Sequence, residues 1–153
     1  MPKMKKDGTR KTKAEYTKTD WEEWLWPTFS RYIRIRDCLA TTGTVTHGIC
    51  CTCGKRKRVS GQGQLQAGHF IPGRYDVILF DEKQVHAQCY RCNMKLQGMW
   101  HKYYLFMMNK GYSHEDIQDM IERSEDTVKF VPEWFEQTKE YYEQEIAQML
   151  AVA

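Results

Sequence analysis

The 153-residue chain carries 23 Lys and Arg side chains against 20 Asp and Glu, for a formal net charge of +3. This length suits one domain with terminal extensions, and without any run of about 18 apolar residues the chain contains no candidate transmembrane helix. The charge is uneven, since residues 1–113 hold 20 basic and 9 acidic side chains whereas residues 114–153 hold 3 and 11. A basic front of this kind indicates a polyanionic partner such as nucleic acid, although charged tails and solvated helices produce the same asymmetry by chance.

Residues 1–18 are rich in Lys, Arg and Thr and lack apolar periodicity, which predicts a flexible basic arm. Such an arm either lies along phosphates or has no specific role. Thr19 and Asp20 followed by Glu23 then resemble the capping box that begins a helix. Pro27 is expected to interrupt or restart that helix, because proline lacks the backbone N–H that a helix interior uses.

A basic run follows the Thr- and Gly-rich segment 41–48 and the first pair of cysteines. It consists of Lys55, Arg56, Lys57 and Arg58. A Gly-rich turn at residues 61–63 and an apolar segment at residues 65–70 come next, which predicts a hairpin whose first strand is basic. These cations are candidate phosphate contacts, and a plain solvated turn is the alternative.

Two Cys-x-x-Cys pairs predict a single zinc site. The four cysteines are Cys50, Cys53, Cys89 and Cys92. Zinc favours four sulfur ligands at about 2.3 Å, and a two-residue spacer lets both thiols of each pair reach one ion. Cys38 and Cys51 are expected to lie outside the zinc shell. Paired cysteines without an apolar signal segment favour metal over disulfides, and hence a reducing cytoplasm.

The second half of the chain contains one short apolar run, followed by three segments with helical patterns. Residues 71–76 form a predicted loop near the substrate, residues 77–80 a short buried strand, and residues 84–88 the approach to the second cysteine pair. One helix is predicted from near Cys92 to Gly111, another from Ser113 to about Arg123, and a third from Pro132. The third carries an aromatic stripe that either packs on its own domain or forms a homodimer interface. The stripe consists of Trp134, Phe135, Tyr141 and Tyr142.

Several short motifs in a fixed order give the chain a specific resemblance. They are Arg34-Ile35-Arg36-Asp37, Cys50-x-x-Cys53-Gly54, Ala67-Gly68-His69-Phe70, Phe80, Val85-His86-x-Gln88-Cys89-x-x-Cys92-Asn93, Gly98 and Tyr103. Over residues 29–121 the chain thereby resembles the phage NinG/Rap recombination endonucleases, which belong to the wider group of HNH or ββα-metal nucleases.

This resemblance implies an α+β fold with a zinc-bound treble-clef ββα-metal (HNH-like) core and flanking helices. We expect a single zinc-stabilised domain at residues 19–153, with the core at 45–111 and a helical part at 112–153. The implied function is metal-dependent cleavage of branched recombination intermediates, such as Holliday junctions and D-loops, in phage recombination. The alternatives are a zinc-stabilised nucleic-acid-binding or assembly module without catalysis, and an HNH-type nuclease for linear duplex DNA.

The resemblance also assigns roles to individual residues. His69 is the expected general base, since a neutral imidazole can accept a proton from water near neutral pH. The amide oxygen of Asn93 is the expected ligand of a catalytic Mg²⁺ or Mn²⁺, although Asn is equally suited to cap a helix. Arg74 and Lys95 are further candidate DNA contacts.

Two departures from the wider ββα-metal pattern concern the metal and the loop around His69. The residue before the histidine is often a metal-binding Asp, and here it is Gly68, so another oxygen must complete the metal shell. The nearest carboxylates in sequence are Asp76, Asp81 and Glu82. The middle Asn position falls on Gln84, which is expected to hold the loop around His69, and His86 has either a supporting or a purely structural role.

Overall fold

A computed structural model describes residues 3–73, 75–129 and 131–153 and gives a mixed α+β fold with two small sheets. The helices are α1 (Lys18–Thr42), α2 (Asp76–Leu79), α3 (Trp100–Asn109), α4 (His114–Glu122) and α5 (Pro132–Val152). The strands are β1 (His47–Ile49), β2 (Arg56–Arg58), β3 (Gln66–His69) and β4 (Val85–Gln88). The α+β class predicted from the sequence is therefore confirmed.

The first helix begins two residues earlier than predicted and is not interrupted. Its N-cap is Thr17, whose side chain accepts a hydrogen bond from the Asp20 backbone N–H while the Asp20 carboxylate bonds back to Thr17. The predicted capping box at Thr19 is therefore wrong. The capping box forms at Thr17 instead, because Asp20, one turn into the helix, makes both of the reciprocal hydrogen bonds that a capping box requires.

The expected break at Pro27 is also wrong, since α1 runs through this residue. A proline inside a helix removes one backbone hydrogen bond. Leu25 and Phe29 on either side of it are both fully buried, and Pro27 itself faces solvent. Burial of the same apolar stripe before and after the proline offsets the lost bond and keeps one helix axis.

The strands form two antiparallel hairpins rather than the one predicted. In the first hairpin β1 pairs with β2, with His47 opposite Arg58. In the second β3 pairs with β4, with Gln66 opposite Gln88 and His69 opposite Val85. The predicted pairing of the basic strand with the strand of His69 is wrong, because the first cysteine pair forms a tight turn that returns β2 along β1. The Leu65 N–H still bonds the Arg58 carbonyl at 2.8 Å, so the two hairpins are joined end to end.

Residues 77–80 do not form the predicted strand. They belong mainly to α2, a single helical turn that begins after Tyr75 and buries Ile78 and Leu79. A four-residue apolar run fits a buried strand and a buried helical turn equally well. The backbone carbonyl of Leu79 thereby comes to lie beside β3, within hydrogen-bond distance of the His69 ring.

The single helix predicted after Cys92 is interrupted. A π-helical turn spans Arg91–Lys95, and α3 begins only at Trp100. Between them Gln97, Gly98 and Met99 all have positive φ angles, from 51° to 86°. Three successive left-handed residues turn the chain sharply, and this turn was not visible in the apolar periodicity.

The two C-terminal helices begin as predicted. Ser113 and Asp116 form a reciprocal capping box at α4, and Pro132 occupies the first turn of α5. The α5 helix packs along α1 and buries Phe135 and Tyr142 against it. Most of the aromatic stripe therefore packs on its own domain, which is one of the two arrangements that the sequence left open.

Two apolar cores lie on either side of the β3–β4 hairpin. One joins α1 and α5 to the hairpin through Phe29, Ile33 and Val85. The other joins α3 and α4 to the segment after β3 and includes Phe70 and Tyr103. The β3–β4 hairpin is therefore held from both sides, and every residue of β4 is buried.

The N-terminal segment, predicted to be a flexible basic arm, lies against the helices. Its lysines form ion pairs with acidic side chains of the chain itself. These pairs are Lys3–Glu23, Lys11–Asp20, Lys13–Glu136 and Lys18–Asp76. Much of the positive charge of this segment is thus balanced internally.

Candidate metal centre and active site

Four thiols come together where the two cysteine pairs meet. The first pair forms the turn between β1 and β2, and the second pair directly follows β4. The sulfurs of Cys50, Cys53, Cys89 and Cys92 all lie within 4.8 Å of one another, and those of Cys53 and Cys89 are 3.7 Å apart. Tetrahedral ligands at about 2.3 Å from a zinc ion are about 3.8 Å apart, so the group fits a metal ion such as zinc.

The surroundings of Cys50 favour the thiolate that a metal ligand requires. Burial raises the pKa of this thiol, but hydrogen bonds from Thr52 and from nearby backbone N–H groups outweigh it and lower the pKa to about 6, whereas burial raises the pKa values of Cys53 and Cys92. The remaining two cysteines lie outside the group, as predicted. Cys51 packs in the core of α3 and α4, and Cys38 lies under Gly48, where burial raises its pKa to about 11.

His69 is the last residue of β3 and is partly exposed. Its ring stacks on Trp26 of α1 with centroids 5.4 Å apart, and its Nε2 lies 3.1 Å from the Leu79 carbonyl oxygen. A carbonyl only accepts hydrogen bonds, so in the neutral ring Nε2 carries the proton and Nδ1 carries the lone pair. The helical turn α2 thus fixes both the tautomer and the orientation of this histidine.

Asn93 lies in the π-helical turn directly after the second cysteine pair. Its Nδ2 donates to Gln66 Oε1 at 2.8 Å, which directs its Oδ1 toward β3. That oxygen is 3.1 Å from the position that a Cβ would occupy at Gly68, the neighbour of His69. Asn93 does not cap a regular α-helix here, and its amide oxygen faces the strand that carries the histidine.

The same space over Gly68 is filled by Gln88, a residue that was not among the predicted site residues. A Cβ at Gly68 would overlap the Gln88 Oε1 atom and lie 2.8 Å from its Cδ. The register explains this approach, because Gln88 and Gly68 lie on neighbouring strands within two pairs of each other. A glycine one residue before a candidate catalytic histidine is a sequence signal that another side chain occupies its place.

The three carboxylates considered as replacements for the missing Asp have partners elsewhere. Asp76 pairs with Lys18, Asp81 accepts from the Gln84 amide at 2.8 Å, and Glu82 accepts from the Tyr32 hydroxyl at 3.1 Å. Each is committed to a contact that stabilises the loop between β3 and β4 or its packing on α1.

A comparison with protein families identifies a match over nearly the whole chain. The family model described as bacteriophage lambda NinG protein matches residues 2–150. The chain belongs to the NinG family. Comparisons with curated proteins and with solved structures each give no significant match. Within the described part of the chain, no helix is both long and apolar enough to cross a membrane.

The supporting residues of this NinG-family protein are buried rather than exposed to a substrate. His86 is 1% exposed, its Nδ1 lies 3.1 Å from the Tyr103 hydroxyl, and burial lowers its pKa to about 2. The Tyr103 hydroxyl in turn donates to the Gly68 carbonyl at 2.8 Å. The Gln84 side-chain NH₂ group donates to Asp81 and holds the loop, and the Gln84 backbone carbonyl accepts from the Phe70 N–H at 2.7 Å.

The predicted DNA-contacting residues fall in three places. In β2, Arg56 and Arg58 are exposed and Lys57 is partly exposed, and Lys55 is exposed just before the strand. Lys95 is exposed in the π-helical turn, with its Nζ 6.0 Å from the Tyr90 ring centroid. Arg74 lies outside the described residues.

One structural role in the NinG motifs was not predicted. The Arg36 side chain donates to the Glu82 and Val85 carbonyls at 2.9 and 2.7 Å, and Asp37 accepts from the Ala87 N–H at 2.7 Å. These α1 side chains satisfy backbone groups of β4 that would otherwise be buried without partners. The Arg-Asp pair near the end of α1 therefore fixes the strand opposite His69.

Proposed function

We propose that this NinG-family protein is a zinc-stabilised, divalent-metal-dependent endodeoxyribonuclease that cuts branched recombination intermediates such as Holliday junctions and D-loops. The observation that carries the proposal is the placement of a tautomer-fixed His69 at a strand end, directly after Gly68, whose Cβ position lies 3.1 Å from the amide oxygen of Asn93. The antiparallel hairpin, the following turn and helix, and the four cysteines around them support an HNH-like ββα-metal arrangement.

In the proposed reaction His69 is the general base. Its Nδ1 lone pair accepts a proton from the attacking water, while Nε2–H continues to donate to the Leu79 carbonyl. Stacking on Trp26 limits rotation of the ring, so the lone pair keeps its direction when substrate is absent. This preorganisation reduces the entropy cost of aligning base, water and phosphate.

Asn93 would hold the catalytic cation. A carboxamide oxygen is a hard ligand suited to Mg²⁺ or Mn²⁺, and the hydrogen bond from Asn93 to Gln66 orients that oxygen. A bound divalent cation would supply electrostatic stabilisation of the charge that develops on the phosphate and on the leaving oxygen.

Two features support DNA as the substrate. The exposed cations of β2 lie on a strand whose other edge is unpaired in its two-stranded sheet, so a polyanion can approach them. The N-terminal lysines, by contrast, are already paired with carboxylates. Membership in a bacteriophage family supports branched intermediates of phage recombination as the substrate class.

A second candidate function rests on Gly68. Without an Asp at this position the site offers no carboxylate before His69, which favours a zinc-stabilised nucleic-acid-binding or assembly module without catalysis. Cleavage of linear duplex DNA is the remaining alternative within the nuclease class. Both differ from the main proposal in a simple assay.

The test is a gel assay of a labelled four-way junction beside a linear duplex of the same sequence, with and without Mg²⁺. The proposal expects Mg²⁺-dependent incision of the junction in preference to the duplex. Equal cutting of both would favour the linear-duplex nuclease. Junction binding without incision in Mg²⁺ or Mn²⁺ would favour the binding module.

A further inference from the structure

Gln88 is fully buried beside the candidate active site, and its carboxamide has a fixed orientation. Its Nε2 donates to the Thr52 hydroxyl at 3.2 Å and to the Gly98 carbonyl at 2.9 Å. Because a carbonyl only accepts, the nitrogen must occupy that side and the oxygen the other. Gln88 Oε1 is then buried with no hydrogen-bond partner anywhere in the described residues.

The unpartnered oxygen faces the same point as Asn93. Gln88 Oε1 occupies the space where a Gly68 side chain would begin, and Asn93 Oδ1 is 3.1 Å from that position. Donation to the Gly98 carbonyl turns the Gln88 oxygen this way, and Asn93 donates its NH₂ group to Gln66 Oε1. Two amide oxygens thus converge over Gly68, the residue before His69, where the wider nuclease group carries an Asp.

We propose that Gln88 Oε1 replaces the missing carboxylate and that Gln88 and Asn93 together ligate the divalent cation. This inference rests on the proposed function, because it completes the metal shell of that site. Burying a carboxamide oxygen without a hydrogen bond is unfavourable, and a cation compensates for it directly. The glycine is required because any larger residue at position 68 would displace the Gln88 oxygen.

A second buried glutamine, Gln84, shows why the proposed site requires two amide oxygens at the same point. Gln84 Oε1 is also buried and unpartnered within the described chain, but its amide nitrogen bonds Asp81 in the loop after α2. An unpartnered oxygen alone therefore does not define a site. Gln88 differs because a second amide oxygen adjoins it over Gly68, the residue before the candidate base, and Gln84 supplies an internal control of the same chemical type.

The proposed ligands are both neutral, and this has a consequence for DNA binding. Carboxylates normally provide much of the affinity of protein sites for divalent cations. With two amide oxygens the cation keeps its full charge, so a phosphate of bound DNA adds the missing anionic ligand. Metal and DNA should therefore bind cooperatively, and by linkage each should strengthen the other by the same factor.

The first test changes only the proposed general base, His69, and leaves both proposed ligands in place. Side-chain amide signals of Gln88, Asn93 and Gln84 are followed by NMR while Mg²⁺ is added to His69→Ala protein, alone and bound to a four-way junction. The proposal expects saturable shifts of Gln88 and Asn93, none of Gln84, and at least tenfold tighter apparent Mg²⁺ affinity with the junction. A stationary Gln88 signal beside a shifting Asn93 signal would overturn it.

The second test moves the ligand oxygen between strands. Gln88→Ala should weaken Mn²⁺ binding, measured by the electron paramagnetic resonance signal of free Mn²⁺, at least tenfold. The double variant Gly68→Asp/Gln88→Ala should restore it, because the aspartate then enters the vacated space. Gln118→Ala, which changes an exposed glutamine of α4, is the control and should bind Mn²⁺ as the parent does. Undiminished Mn²⁺ binding by Gln88→Ala with intact zinc content would contradict the proposal.

These outcomes separate this inference from the proposed function. The inference fails if the Gln88 amide signal does not shift and Gln88→Ala binds Mn²⁺ as the parent does. If the parent still cuts junctions in Mg²⁺, the nuclease proposal then remains supported. If Mg²⁺ shifts none of the three amides even with DNA bound, and no incision occurs, both fail. If Gln88→Ala loses zinc and unfolds, the NMR titration decides alone, since it needs no change at Gln88.

Discussion

The two hairpins of this protein are stabilised in opposite ways. The β1–β2 hairpin is exposed on most of β2 and is fastened at its turn by the first cysteine pair. The β3–β4 hairpin is enclosed by two apolar cores, and all four residues of β4 are buried. A short exposed hairpin is at best marginal alone, so a metal bound by the four cysteines would supply the stability that packing does not.

The same difference separates the chemistry of the two hairpins. The first hairpin keeps its cations in water, where they can meet phosphates from any direction. The second hairpin holds its polar groups in fixed directions through buried hydrogen bonds, including those of Gln88 and His86. The proposed DNA binding thus belongs to the hairpin that carries the first cysteine pair, and the proposed catalysis belongs to the hairpin fixed by packing.

The largest effect is expected from a substitution in the four-cysteine group at the turn of the β1–β2 hairpin. Cys89→Ser removes one of four sulfurs, and structural zinc contributes about 10–16 kcal/mol of coupled folding free energy in small zinc peptides. We expect loss of zinc and of cooperative unfolding together, measured by elemental analysis and thermal melting. Cys51→Ser is the matched control and should keep its zinc, so zinc retention by Cys89→Ser would show that the four-cysteine site is wrong.

The next largest effect is expected from a substitution in the β3–β4 hairpin that leaves its fold intact. His69→Ala removes the proposed base, and loss of a general base typically lowers rates by about 10²–10⁴. We expect that drop in single-turnover cleavage of a four-way junction, with zinc content and junction affinity unchanged. His101→Ala, an exposed histidine of α3, should cleave at the parental rate. Parental cleavage by His69→Ala would refute the mechanism.

Features that depend on local sequence were predictable. The grouping of four cysteines follows from ligand spacing, the capping box at Ser113 and Asp116 from side-chain reach, and the start of α5 from the tolerance of Pro132 in a first turn. In each case the residues that decide the structure lie within a few positions of one another or share one metal.

Features that depend on packing between distant segments were not predictable. Pro27 stays inside α1 because buried residues on both sides hold the helix, and residues 76–79 are helical because Ile78 packs in the core beside α3. Gln88 could not be placed over Gly68 until the strand register was known. The partners of the three carboxylates nearest His69 in sequence were likewise not predictable, because they lie on other segments or depend on the loop conformation.

A salt titration sharpens the contrast in charge between the exposed hairpin and the N-terminal segment. Replacing residues 55–58 by Ala should make the slope of log affinity against log salt shallower by about 0.9 for each phosphate that the variant no longer neutralises. The matched control removes four cations that are already paired with carboxylates. These are Lys3, Lys11, Lys13 and Lys18. A larger change in slope for the control would move the DNA-binding surface to the N-terminal segment.

The smallest expected effect is a dependence of stability on pH that originates in the buried hairpin. Burial lowers the pKa of His86 to about 2, whereas an unfolded histidine titrates near 6.5. Between these values the unfolded chain binds one more proton than the folded protein, so His86 stabilises the fold less as pH falls. This accounts for about 2 kcal/mol of unfolding free energy lost between pH 7 and pH 5.

His86→Gln keeps a side-chain donor for Tyr103 but does not titrate, so its unfolding free energy should fall by about 2 kcal/mol less than that of the parent over this interval. Zinc release contributes equally to both proteins, which makes the difference between their urea-unfolding curves the relevant measurement. His101→Gln removes an exposed histidine and should follow the parent curve. Parallel curves for parent and His86→Gln would mean that His86 gains a proton within the fold, and that water reaches the interior of the hairpin that positions His69.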